Sequence, residues 1–138
     1  MAVHTTELRL STEGDADVHD ITAAIQGVVE EAGAAEGQAL AFVRGSTAAI
    51  ATMEHEPGAV SDLRATLERL IPAEGEYEHN RLNHDTNSHA HQRATAIGPS
   101  EAIPVIDGRL ALGTWQQVVL IDLDDRPRER TVVVQVLS

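Results

Sequence analysis

At 138 residues without a cysteine, the chain is sized for a single domain (residues 1–138), and disulfides, thiolate metal sites and cysteine nucleophiles are excluded. Ten basic residues, all arginine, face 22 acidic ones for a formal charge of −12, which repels nucleic-acid phosphates and anionic membranes and argues against both as partners. No segment approaches the roughly 18 apolar residues of a membrane span, and residues 1–10 lack the apolar run of a signal peptide, so a cytoplasmic protein is expected. The missing lysine and the carboxylate excess point to a halophilic, acidic protein.

In chain order, Val3 to Leu10 reads as a strand with Thr6, Leu8 and Leu10 on one face. Asp17 is placed to cap a helix from Val18 to about Ala32, with Ile21, Ala24, Ile25, Val28 and Val29 at helical spacing and Gly33 at its end. Gly37 to Arg44 and Ser46 to Met53 read as strands hinged at Gly45. Pro57 suits the first turn of a second helix over Gly58 to Leu70, stopped by Pro72. Residues 73–87 lack periodicity and read as one long loop. Strand-like runs follow at Ser88–Ile97, Ala102–Ile106, Leu110–Gly113, Thr114–Leu123 and Arg130–Leu137, divided by Gly-Pro, Asp-Gly and Asp-Asp-Arg-Pro turns. Two helices among many antiparallel strands make an α+β fold.

Chemistry concentrates between Tyr77 and Gln117. Four of the seven histidines, His79, His84, His89 and His91, fall within thirteen positions, with Asp85 and Asn87 among them. Imidazole and carboxylate groups hold divalent metals or phosphorylated substrates, and imidazole moves protons near neutral pH. On a strand, His89, His91 and Arg93 would share a face and the two imidazoles could chelate one ion. Zinc, manganese, magnesium and nickel all suit such nitrogen and oxygen ligands. Gly45-Ser46-Thr47 offers hydroxyls and backbone donors for a phosphate. Glu54, at a strand end, is a general base, a metal ligand or a cap-region carboxylate. Arg93 and Arg109 are placed to grip anions or to pair on the surface. Trp115, the only tryptophan, is a core anchor or a pocket wall, with core the simpler reading.

Tyr77-x-His79, Asp85-x-Asn87-x-x-x-His91, Gly98-Pro99-Ser100, Ile103-Pro104-Val105 and Gly108-Arg109-Leu110-x-Leu112-Gly113-Thr114-Trp115-Gln116 together resemble the YjbQ family, some of whose members are described as secondary thiamine-phosphate synthases. The resemblance implies an α+β, antiparallel β-sandwich of about seven strands in two sheets with two flanking helices, assembled as a homotrimer. It also implies a histidine-lined pocket that takes up a metal ion, with His79, Asp85, Asn87 and His91 matching the family's polar motif and Glu54 its strand-end glutamate. One departure stands out: many members carry His-Thr-Ser where this chain has Gly45-Ser46-Thr47. His84 and His89 are the residues that would compensate for the missing imidazole.

The activity implied is condensation of a hydroxymethylpyrimidine diphosphate with a thiazole phosphate, releasing pyrophosphate. His79, His91 and Asp85 would position a metal, and Arg93 or Arg109 would hold phosphate, with Asn87, Ser46, Thr47 and Trp115 lining the substrate. Two alternatives accompany it: a metal-dependent hydrolase of a small phosphorylated metabolite, with Glu54 or His79 as the proton-transfer group, and a trimeric metal- or metabolite-binding protein without turnover.

Overall fold

The computed structural model describes residues 1–138. Its elements run β1 (Val3–Thr12), β2 (Asp17–Asp20), α1 (Thr22–Ala32), β3 (Gly37–Val43), β4 (Ala48–Met53), α2 (Pro57–Leu70), α3 (Glu78–Asn83), α4 (Ser88–Ile97), β5 (Ser100–Ile106), β6 (Arg109–Leu110), β7 (Gln117–Asp122) and β8 (Arg128–Leu137). They form a five-stranded sheet in the order β1-β8-β3-β5-β6 and a three-stranded sheet in the order β2-β7-β4, antiparallel throughout. The expected α+β sandwich of two sheets is therefore observed, with two helices added to the two expected.

Strand alternation builds the layers. Ala39, Ala41 and Val43 of β3, Ile103 and Val105 of β5, and Val132, Val134 and Val136 of β8 face inward. They meet Ala48, Ile50, Val118 and Leu120 from the smaller sheet and Ile25, Val28 and Val29 from α1. The intervening residues Ala49, Val119 and Ile121 turn to the opposite face of the smaller sheet and pack against Leu67 of α2 and Ala90 and Ala94 of α4. The small sheet is thus apolar on both faces, as a central layer must be. No helix covers the outer face of the large sheet, where Leu40, Phe42, Ala102, Pro104, Ile106, Val133 and Leu137 alternate with the core residues.

Local chemistry explains the boundaries. Asp107 and Gly108 both adopt positive φ, the conformation of a two-residue hairpin turn, and Gln26 of α1 holds that hairpin by bonding the Gly108 carbonyl at 2.9 Å and the Leu110 N–H at 3.0 Å. Glu56 caps α2 by accepting from the Gly58 and Ala59 N–H groups, with Pro57 at the first helical position. Gly33, in the left-handed region, closes α1.

Four expectations need correction. The strands expected at Leu110–Gly113 and Thr114–Leu123 shrink to β6 and β7, and residues 111–116 lie outside any strand. The first helix begins at Thr22, because Asp17–Asp20 pairs with Val119–Asp122 as an edge strand; Asp20 rather than Asp17 bonds the first helical N–H, at 2.9 Å. The presumed loop 73–87 contains α3. Most consequentially, 88–97 is a helix. Its alternating polar residues imitate a strand, but Ala90, Ala94 and Ile97 lie at i, i+4 and i+7 and pack together on the small sheet.

One end of the sandwich is closed by a polar cluster. Arg130 donates to Asp122 through Nε (2.7 Å) and Nη2 (3.0 Å), and to the Thr47 hydroxyl at 2.7 Å. Thr47 in turn donates to Asp124 at 2.9 Å, Thr12 donates to Asp122, and Arg128 reaches Asp124 at 3.0 Å. Asp122 is fully buried and Arg130 is 8% exposed. Removing one member of such a pair strands a buried charge. Arg130→Met is expected to lower unfolding stability by about 3–5 kcal/mol in urea titration; a loss below about 1 kcal/mol, the scale of an exposed pair, would show that the cluster is solvated.

Candidate functional site

The site forms where α3 meets α4. Asn80 of α3 accepts the Ser88 N–H at 3.0 Å, tying the start of α4 to the shorter helix. This contact orients the Asn80 amide, so its oxygen also faces His79 Nδ1 at 3.1 Å. An amide oxygen only accepts, so His79 carries its proton on Nδ1 and, when neutral, leaves Nε2 as a base. His91, one helical turn into α4, faces His79 with ring centroids 4.6 Å apart and planes inclined at 49°. Both imidazoles are half-buried.

Asp85 stands beside this pair. The Thr86 N–H, at 2.7 Å, is the chief reason its carboxyl lies below the usual carboxylate range, with help from Arg126 at 3.2 Å and from the His79 charge. Asn87 is buried and donates to Asp124 at 3.3 Å, while its own Oδ1 has no partner. Burial alone would raise the Asp124 carboxyl. The N–H of Asp125, the donors of Thr47 and Asn87, and the Arg128 charge overcome that and hold it far below the ordinary value. The polar cluster at the sandwich end and the histidine pair are therefore continuous through Asn87.

Other expected site residues fall elsewhere. On a helix, positions 89 and 91 are about 200° apart, so the two imidazoles cannot chelate one ion. His89 is buried, 3% exposed, with Nδ1 unpartnered. His84 is exposed at the left-handed end of α3. Arg93 is a buried strut, bonding the Ile71 carbonyl and Glu68 at 2.9 Å each, so it joins α4 to α2 rather than gripping a ligand. Thr47 spends its hydroxyl in the ionic cluster, whereas Ser46 is exposed.

Glu54 lies with His55, Glu56 and Trp115 in a separate cleft, and Arg109 lines a groove beside α1. Trp115 is 74% exposed, not a core anchor; the loop that carries it is held instead by Gln116, which bonds Gly113 N–H and Thr52 at 3.1 Å. Asn80, Asp122, Asp124 and Arg130 were not singled out from the sequence. Charged residues at the ends of otherwise apolar strands, Asp122 at the end of β7 and Arg130 near the start of β8, were the available signal.

No three histidine or carboxylate side chains converge with the geometry to hold a metal ion. His79 and His91 supply two nitrogens, one fewer than the three protein ligands usual for zinc at an open site. Within one chain, the residues do not fit a complete metal centre.

The profile of the UPF0047 protein YjbQ-like family matches residues 6–138. The chain belongs to this family. A UPF0047 protein of Methanothermobacter thermautotrophicus is 40% identical over 136 residues, covering 99% of this chain and 93% of that protein. Another, from Archaeoglobus fulgidus, is 37% identical over 131 residues, covering 95% and 99%. The crystal structure of a YbjQ-like protein of unknown function from Sulfolobus solfataricus superposes with a TM-score of 0.94 at 35% identity, covering 99% of this chain and 98% of that one. A hypothetical protein from Aeropyrum pernix gives 0.90 at 36% identity, covering 97% and 98%.

The UPF0047 architecture also makes His89 informative. Burial, aided by the Arg93 guanidinium, keeps its imidazole below the ordinary value of 6.5. The unfolded chain then binds the proton first, so the stability tied to neutral His89 is complete above about pH 6.5 and is lost as pH falls. His89→Leu is expected to reduce the drop in Tm between pH 7 and pH 5, measured by thermal melts. An identical drop in parent and variant would assign the acid sensitivity to other groups.

Proposed function

We propose that this UPF0047 chain is an enzyme that performs acid–base chemistry on a small phosphorylated metabolite, with His79 and His91 as the reacting pair. The observation that carries this reading is the approach of the two rings to 4.6 Å, with His79 Nδ1 oriented by Asn80. In a hydrolysis, unprotonated His79 Nε2 accepts a proton from water as it attacks, and protonated His91 delivers one to the leaving oxygen. Asp85 steadies positive charge on His79. A bell-shaped pH–rate profile is the signature of such a base and acid.

The pyrimidine–thiazole condensation implied by the family resemblance is less well supported. Its diphosphate substrate needs cations around the departing pyrophosphate. Arg93, Arg126, Arg128 and Arg130 instead each bond a carboxylate of the chain itself. A divalent ion such as zinc, manganese, magnesium or nickel would find half a site in the two imidazoles, its remaining ligands coming from substrate or a second copy. The uncovered face of the large sheet, with Phe42 and Ile106 both exposed, supports a homotrimer in which copies bury that face.

A panel of phosphate monoesters, together with the pyrimidine diphosphate and thiazole phosphate pair, tests the reaction. His79→Ala and His91→Ala are each expected to lower kcat by at least about 100-fold, the lower end for a removed acid or base, with unchanged circular dichroism. Turnover surviving in both variants overturns the assignment, and no turnover in the parent favours the binding-protein alternative. Light scattering is expected to give three times the chain mass of 14.8 kDa, falling in Phe42→Asp; a monomeric parent would remove the trimer.

A further inference from the structure

Residues 72–86, the stretch between α2 and α4, hold no buried side chain, and neither hydrophobic cluster draws a member from them. Leu82, the one leucine of α3, is 66% exposed. The two ends of the stretch are nevertheless fixed. Arg93, buried in α4, donates to the Ile71 carbonyl at 2.9 Å, and buried Asn87 donates to Asp124 at 3.3 Å. Fixed ends around a middle without an apolar anchor make a segment that can lift without disturbing the core.

The middle coheres as one body. The Tyr77 hydroxyl donates to the Pro72 carbonyl at 2.7 Å, the Asn83 amide to the His79 carbonyl at 2.9 Å and the Asp85 N–H to the Asn80 carbonyl at 3.1 Å, while Arg81 pairs with Glu78. Its bonds to the rest of the molecule are few and polar: Ala73 N–H to Glu68 at 3.2 Å, Ser88 N–H to Asn80 at 3.0 Å, Arg126 to Asp85 at 3.2 Å, and Thr86 to Asp125. His79 belongs to this segment, whereas His91 rides on α4, which Ala90, Ala94 and Ile97 pack onto the small sheet. In an in-line hydrolysis the attacking water and the leaving oxygen flank the reacting centre, so the base and the acid that serve them must stand apart. Rings with centroids 4.6 Å apart touch each other and leave no room for a substrate between them.

We propose that residues 72–86 form a lid, which lifts as one body, carries His79 away from His91, and recloses on a phosphorylated substrate with one ring on either side of it. This rests on the acid–base reading of that pair and adds how a substrate comes between the two rings. Lifting breaks the Asn80–Ser88 bond and the ring contact, and closing shields the reacting atoms from water. His84, left-handed at φ +51, separates α3 from the anchored Asn87 and is the hinge on that side, with Gly75 on the other. Lid motions of this kind fall in the μs–ms range.

Hydrogen exchange and NMR relaxation dispersion on the full chain at pH 7, without ligand, test the lid. Amides of residues 78–85 are expected to exchange at least about 100-fold faster than those of residues 92–97 in α4, since only the latter lie on a packed element. The α3 amides and the imidazole carbons of His79 and His91 should share one rate constant in the μs–ms range, because one motion separates the rings. Protection of α3 to within about tenfold of α4 overturns the lid. So does motion confined to α3 amides with a silent His91 ring, which is the pattern of a short helix fraying in place. If the lid behaves as expected but His91→Ala keeps full turnover, the lid stands and the acid–base reading fails. A protected α3 with turnover lost in His91→Ala spares that reading and removes the lid.

Discussion

The polar cluster around Arg130 and Asp124 is the constraint on which the rest of the molecule depends. Five segments converge there: the end of β1 through Thr12, the β3–β4 turn through Thr47, the end of β7 through Asp122, the start of β8 through Arg128 and Arg130, and the start of α4 through Asn87. An apolar plug could close a sandwich end equally well, and commonly with no loss of stability. Directional bonds do something an apolar plug does not: they set where each segment enters. Asn87 immediately precedes α4, so the position of His91 follows from an ion pair buried on the far side of the small sheet.

That arrangement has a chemical consequence. The chain contains ten arginines and no lysine against 22 carboxylates, and the arginines nearest the site are occupied by the chain's own acids. A multiply charged ligand would therefore meet a repulsive field with few free cations to answer it. What remains is a set of neutral or hydrogen-bonding groups: two imidazoles and an amide oxygen that positions one of them. Such a set suits proton movement on a lightly charged metabolite better than stabilisation of departing pyrophosphate.

Much of the fold was legible because its signals are local and redundant. Alternation in the apolar strands, Gly33 after the first helix, Pro57 at the start of the second and Asp107-Gly108 between β5 and β6 each reflect a backbone requirement that few residues satisfy. The signal failed where two periods overlap. Residues 88–97 place His89, His91, Arg93 and Thr95 at every second position, which suggests a period of two; only the small residues Ala90 and Ala94 and the terminal Ile97 carry the helical period. Alanine contributes little to a hydrophobic pattern, yet here it is the residue that lets α4 lie close to the sheet. Residues 17–20 failed for another reason, since their pairing with β7 is a tertiary demand that overrides a local helical pattern.

The same ambiguity decided how the site was read. As a strand, His89 and His91 are a chelating pair and His79 is an accessory; as a helix, His91 belongs with His79, and His89 is buried apart from them. The residue types were therefore visible but their partners were not, because partnership depends on the direction of each side chain and hence on the period. Gly45 shows the converse. In sequence it looks like a loss, an imidazole missing from its usual place. In the structure its missing Cβ lets the β3–β4 turn lie close against Arg130 Nη1, where any side chain would collide. Glycine at this position is therefore a packing requirement of the ionic cluster, set by the guanidinium beneath the turn and not by any ligand.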